Sequence, residues 1–123
     1  MANGRPLVAV IDDDESVRES LPDLLQQFGY PARAYASAEE FLAAGQLDHM
    51  GCLILDIMLP GMSGPDLHQE LTRSGRDIPI IYITALTDAA IRSRMLARGA
   101  VECLAKPFGE QALLEALDAA LGG

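Results

Sequence analysis

Five short apolar runs are spaced along the chain. After each comes a stretch in which apolar residues recur every three or four positions. The first run is Leu7-Val8-Ala9-Val10-Ile11, and the longest begins Cys52-Leu53-Ile54-Leu55. In both, the apolar residues are continuous rather than alternating, which marks strands buried on both faces. Residues 31–35 predict a second, weaker strand, residues 78–83 a fourth and residues 101–105 a fifth. Between them the period changes to that of a helix. Val17, Leu21, Leu24, Leu25 and Phe28 share one face of the first helix, which Gly29 stops. Pro22 lies inside it and should kink it or cost stability. Ser37 opens a short second helix in a Ser-Ala-Glu-Glu capping pattern, with Phe41 and Leu42 as its apolar face and Gly45 as its end. Ser63 caps a third helix carrying Leu67 and Leu71. A fourth runs over about residues 88–98 with Ile91, Met95 and Leu96, and the last buries Leu113, Leu114, Leu117 and Leu121.

Strict alternation of strand and helix implies right-handed crossovers and a parallel sheet covered on both faces. The expected fold is therefore α/β: a doubly wound, five-stranded parallel sheet in the order 2-1-3-4-5. Its switch point falls between the first and third strands.

A chain of 123 residues forms one domain, residues 1–123, and half of it is hydrophobic, enough for a core. No apolar run approaches the roughly 18 residues of a membrane span, and Met1-Ala2-Asn3-Gly4-Arg5 lacks the apolar segment of a secretory leader. Cys52 and Cys103 both fall in predicted strands, so reduced, buried thiols are expected rather than a disulfide, and with them a cytoplasmic location. Nine basic against eighteen acidic residues give a net charge of −9, which argues against direct nucleic-acid binding by this chain. No repeat or low-complexity tract is visible.

The chemistry lies where the strands end, because the carboxyl edge of an open parallel sheet is its ligand crevice. The first strand ends in Asp12-Asp13-Asp14-Glu15. Acids there complement a helix dipole, and Asp14 or Glu15 can do only that, but four exceed what a cap needs. Asp56 leaves the third strand, Thr84 the fourth and Lys106 the fifth. Taken singly, each has a plain reading as a turn, cap or surface residue. Together they form one constellation. Asp12, Asp13 and Asp56 held close would repel one another and raise each other's pKa, and a hard divalent cation removes that conflict. Few carboxylates with room for water suit Mg²⁺ better than a full Ca²⁺ cage. Lys106 can neutralise a phosphate-type anion and Thr84 can donate a hydrogen bond to it. Asp56 is then the nucleophile of an acyl phosphate.

With these residues in place, the chain resembles the receiver domain of a bacterial two-component response regulator, a flavodoxin-like fold. The matching motifs are Val10-Ile11-Asp12-Asp13-Asp14-Glu15, the stretch from Leu55 through Asp56 to Gly64, Ile83-Thr84-Ala85 and Ala105-Lys106-Pro107-Phe108. They span essentially the whole chain in the family's order. The first helix also resembles receivers attached to LuxR-type DNA-binding domains, which implies a role in transcription regulation. The resemblance implies that Asp56 accepts a phosphoryl group from a sensor histidine kinase. It also implies that Asp13 and Asp56 bind Mg²⁺, with Asp12 acting through water and the backbone carbonyl of Met58 as the third protein ligand. Lys106 and Thr84 would hold the phosphoryl oxygens, and the Lys106-Pro107 peptide would be cis. Such a domain is not an enzyme acting on an external substrate; it phosphorylates and dephosphorylates itself.

One departure stands out. Three residues before the lysine the family usually places Tyr or Phe, whose ring turns inward when the Thr or Ser moves toward the phosphate. Cys103 occupies that position here, and a thiol is too small for that role. Met58 and Leu86, at positions that tune hydrolysis in the family, are both bulky and apolar, which implies slow loss of the phosphoryl group.

The fourth helix carries Arg92, Arg94 and Arg98, and the fifth Glu110, Glu115 and Asp118. Receivers often pair through the fourth helix, fifth strand and fifth helix, and opposite charges would suit a two-fold, phosphorylation-favoured homodimer there. Other readings fit less well. A Mg²⁺-dependent aspartyl phosphatase wants a second acid two residues after the nucleophile, where Met58 stands, and a cap domain. A nucleotide-binding domain wants a glycine-rich loop that is missing. A pseudo-receiver would not need the intact acid, Thr and Lys set. His49 and His68 are isolated and expected at the surface.

Overall fold

The protein's structure is a computed structural model that describes residues 6–86 and 88–122. The leaderless stretch inferred for Met1 to Arg5 lies outside the described residues. The elements are β1 (Leu7–Ile11), α1 (Glu15–Gln27), β2 (Ala32–Tyr35), α2 (Ala38–Ala43), a 3₁₀ turn (Leu47–His49), β3 (Met50–Asp56), α3 (Gly64–Arg73), β4 (Ile80–Thr84), α4 (Ala89–Ala97), β5 (Glu102–Ala105) and α5 (Glu110–Leu121). The five strands pair in parallel in the order β2-β1-β3-β4-β5. This is the doubly wound sheet expected from the pattern. The alternation left open where strands begin. β3 starts two residues earlier than the apolar run suggests, and β4 starts two later, after Pro79, which has no N–H to give a ladder.

The side-chain period of two divides the core cleanly. Val8, Val10, Cys52, Ile54, Ile81 and Ile83 pack on one face with Leu21 and Leu25 of α1 and Leu113 and Leu117 of α5. Ile11, Leu53, Leu55, Ile80 and Tyr82 pack on the other with Phe41 of α2, Leu67 and Leu71 of α3, and Met95 of α4. Central strands filled on both faces need apolar residues at every position. That is why the runs in β1 and β3 show no alternation. Cys52 and Cys103 are free and buried. Burial pushes the Cys52 thiol up to about 12, which makes it inert.

The helix ends follow from their caps. Asp14 caps α1 by accepting from the Ser16 amide, so one of the four acids does serve the helix. Ser37 accepts from the Glu40 amide, while the Glu40 carboxylate reaches back to the Ala36 amide, one residue outside a strict capping box. Ser63 and Asp66 form the complete reciprocal pair on α3. α1 runs through Pro22 as one helix, with Pro22 buried on the core face. A proline there forgoes one helical hydrogen bond and costs about 3 kcal/mol in an isolated helix, a penalty the packing of Leu21 and Leu25 offsets. No helix among the described residues is long and apolar enough to cross a membrane.

Candidate functional site

The parallel register brings the expected residues to one edge. Ile11 lies level with Leu55, Asp56 with Ile83, and Thr84 with Ala105. Each strand therefore delivers its next polar residue to the same rim. Asp12, Asp56 and Thr84 are the buried polar and charged residues of the described chain. Ligand atoms of Asp12, Asp13 and Asp56 lie within 4.8 Å of one another.

The three carboxylates are not equivalent. Asp12 is fully buried and held at every oxygen. Its Oδ1 accepts from the Asp14 amide at 2.9 Å and its Oδ2 from the Lys106 ammonium at 2.7 Å. Its main-chain carbonyl accepts from Arg18 Nη1 at 3.0 Å. Asp13 is exposed, and its carboxylate has no hydrogen-bond partner among the described residues. Asp56 is 6% exposed. Its Oδ1 accepts from the Met58 amide at 3.2 Å, and its Oδ2 stands 3.6 Å from Lys106 Nζ. Burial, and then the neighbouring charge of Asp12, push the Asp56 carboxyl up to about 6, against the opposing pull of Lys106 and the Met58 amide. Burial works against the Lys106 ammonium, but its hydrogen bond to Asp12 and the nearby carboxylate charges prevail and hold its pKa above the ordinary value.

Charge decides what fits. Three carboxylates and one ammonium leave two negative charges, half of them near solvent at Asp13. An oxygen-ligating divalent cation of Mg²⁺ type matches both the charge and the donor atoms.

Thr84 is 3% exposed, and its Oγ1 accepts from the Leu86 amide at 3.0 Å. The Thr84 carbonyl accepts from the Lys106 amide at 2.7 Å, so the threonine and the lysine share one backbone link. The Lys106-Pro107 peptide is cis, as the resemblance implies. Met58 is 64% exposed and Leu86 42%, the two large apolar side chains standing at the mouth of the site. Cys103 is buried opposite Tyr82 and borders a hollow of about 140 Å³ with Thr84, Leu86 and Arg92.

Several residues carry no signal of their role in the sequence. Gly64, which closes the motif that begins at Leu55, sits against the site: a Cβ on it would meet the Asp56 carbonyl at 2.4 Å, so only glycine lets α3 start this close. Gly61 holds a left-handed φ of 73° in the same loop. Glu39 of α2 accepts from the Met62 amide at 2.8 Å, across 23 residues of chain, and braces that loop from outside. Arg18 braces the β1–α1 loop through the Asp12 carbonyl. A basic residue near the start of α1, where the dipole disfavours it, is the one available hint of Arg18. His68 corrects the expectation of a surface histidine. It is half-buried, and its Nδ1 lies 2.9 Å from the hydroxyl of fully buried Tyr82, because α3 packs on β4 at that level. Burial lowers its pKa, and Arg98 adds to the effect. His49 is exposed, as expected.

Known proteins are similar to this chain in sequence and fold. The family model described as the response regulator receiver domain matches residues 8–118. Nodulation protein W of Bradyrhizobium diazoefficiens is 43% identical over 119 residues, 97% of this chain and 52% of that protein. Transcriptional regulatory protein FixJ of Azorhizobium caulinodans is 39% identical over 115 residues, 94% of this chain and 54% of that protein. The solved structure of the response regulator StyR superimposes with a TM-score of 0.87 at 44% identity, covering 97% of this chain and 60% of that one. The chain thus spans about half the length of the curated relatives it matches. The family match over residues 8–118, the identity to these relatives and the shared fold agree: this chain belongs to the response regulator receiver domain family of two-component signalling.

Proposed function

We propose that Asp56 is the phosphoryl acceptor of this receiver, in a Mg²⁺-dependent reaction with a sensor histidine kinase as the natural donor, and that residues 1–123 act as one domain. The supporting observation is the inequality of the acids. Asp12 has both side-chain oxygens engaged, whereas Asp56 keeps an oxygen facing Lys106 with room at the rim. A carboxylate oxygen of Asp56 attacks phosphorus, the donor N–P bond breaks, and the released imidazole takes a proton from water. Lys106 meets the negative charge on the transferred group, and the Thr84 hydroxyl donates to one of its oxygens. Asp13 and Asp56 would hold Mg²⁺ directly, Asp12 through water, and the Met58 carbonyl would complete the protein ligands. When bound, Mg²⁺ supplies charge neutralisation for the phosphoryl oxygens. Incubation with acetyl phosphate, followed by intact mass, tests the reading. A phosphate adduct that needs Mg²⁺ is expected. No adduct with any donor would make the chain a pseudo-receiver.

The reaction ends at the protein itself, so the domain is a switch rather than an enzyme with turnover. The relatives include proteins named as transcriptional regulators, and the proposed output is control of transcription in the cytoplasm. A charge of −9 leaves DNA contact to another part of such a protein.

Two properties of the switch follow. Met58 and Leu86 flank the path of a water attacking the aspartyl phosphate, and both exclude it. Replacing them together, by Met58→Asn with Leu86→Gln, should speed loss of the phosphoryl group about ten-fold, which is about 1.4 kcal/mol of barrier. An unchanged decay rate after removal of donor would refute the shielding. The second property is dimerisation through α4, β5 and α5 on phosphorylation. Arg92 already forms a two-pronged pair with Glu102 of its own chain, at 2.9 and 3.1 Å, so Arg94 is the more available partner for acids of α5. Sedimentation should show a monomer shifting to a dimer when a beryllofluoride adduct forms, and a monomer under both conditions would reject the dimer.

A further inference from the structure

The candidate cation site is formed by two loops, and two α1 side chains hold the β1–α1 loop: the Ser16 hydroxyl on the Asp14 carboxylate at 2.8 Å, and Arg18 on the main chain at Asp12. Arg18 is half-buried in the first turn and a half of that helix. Its amide joins the helix ladder at the Asp14 carbonyl, at 3.1 Å. Its guanidinium folds back six residues and donates to the Asp12 carbonyl at 3.0 Å. A cation near a helix N-terminus opposes the helix dipole, so this arginine stands against local preference. Departures of that kind in an otherwise consistent fold concentrate at functional positions.

The consequence falls on Asp13. Asp12 is gripped at three points: Arg18 on its main chain, and the Asp14 amide and Lys106 on its two carboxylate oxygens. Asp13 is the next residue, is exposed and has no partner among the described residues to aim its own carboxylate. Its direction toward Asp56 is therefore set by the peptide between Asp12 and Asp13, and the carbonyl of that peptide is the atom Arg18 holds.

We propose that Arg18 is a positioning residue for cation binding, which fixes the Asp12–Asp13 peptide so that Asp13 and Asp56 converge. This rests on the phosphoacceptor reading, in which those two carboxylates are metal ligands. Groups that orient ligands from behind change metal affinity by about 10–100-fold when removed. Arg18 acts through the backbone rather than on the carboxylate, so the lower end applies.

The chain has no tryptophan to report binding. Mg²⁺ is therefore titrated by the amide chemical shifts of Asp13 and Met58, in the native protein, in R18M and in R18K, with melting temperature recorded alongside. R18M keeps the apolar stem and loses the donors; R18K keeps charge and one flexible donor. The expected result is Mg²⁺ affinity about ten-fold weaker in R18M, with R18K between R18M and the native protein. If R18M fails to fold, a few-fold loss in R18K carries the result. Native affinity in the folded variants, even with a lowered melting temperature, would overturn the inference and make Arg18 a purely structural brace. A native protein whose shifts ignore Mg²⁺ would overturn the metal reading with it, and only that outcome touches the native titration.

Discussion

Asp56→Asn is expected to abolish uptake of a phosphoryl group from acetyl phosphate in the presence of Mg²⁺, so that the intact mass stays that of the unmodified chain. The effect is all-or-none because the alternatives at the rim are unsuited to attack. An asparagine has no anionic oxygen to form the acyl phosphate. Asp12 is fully buried, with its oxygens on Lys106 and the Asp14 amide, and it would have to give up both bonds to attack. Asp13 has a free carboxylate but is exposed, and a solvated carboxylate at an open surface lacks the positioning on which phosphoryl transfer depends. His68 is tied to Tyr82, and its lowered pKa reflects a site that resists charge. The mutant is expected to stay folded, because the change is nearly isosteric at the end of a strand. A phosphate adduct that persists on the variant would move the nucleophile elsewhere, and peptide mapping would say where.

The fold was legible because sheet burial leaves a strong pattern. The continuous apolar runs of β1 and β3 can be satisfied only by two packed faces, and the helical periods between them leave only parallel crossovers. Asp12, Asp56, Thr84 and Lys106 could be placed together for the same reason: each is the first polar residue after its strand's apolar run, or the next one along. The supporting contacts had no such signature. Arg18 on the Asp12 carbonyl, Glu39 on the Met62 amide, His68 on Tyr82 and Arg92 on Glu102 are single side chains crossing between elements. Nothing periodic announces them, and each depends on how two elements happen to pack. Gly64 was hidden differently. Its meaning lies in the closeness of the Asp56 carbonyl, which a sequence does not record.

The same crowding predicts an inverted pH dependence of stability. Folding raises the Asp56 carboxyl from 3.8 to about 6, so the folded state favours its protonated form. A group raised in this way contributes its full stability below its unfolded pKa, and loses it as pH climbs through the folded one. Between about pH 4 and pH 7 the Asp56 contribution should therefore fall, by up to about 3 kcal/mol, since a tenfold change in proton affinity is worth about 1.4 kcal/mol. One other group acts in that window: the His68 imidazole, lowered by burial and by Arg98, adds stability as pH rises toward 6.5, opposite in sign to Asp56, and because Asp56→Asn leaves it in place it cancels in the comparison of variant with native protein. Asp14 and Asp48 are lowered by their hydrogen-bonding partners, so their contributions fade only in more acid solution, and Lys106 is raised and acts only in strong base. Asp56→Asn removes the effect. Near pH 7.5 the variant should melt several degrees higher than the native protein, and the difference should close near pH 4. Mg²⁺ should narrow it from the other side, because a ligand of the folded state stabilises by mass action and the native acid cluster is its site. Equal melting temperatures of variant and native across pH 5 to 8 would refute the account. The expected outcome ties function to cost: burial and the Asp12 charge make an ionised Asp56 expensive, and the same negative cluster suits the divalent cation that, with Lys106, would offset the charge of an incoming phosphoryl group.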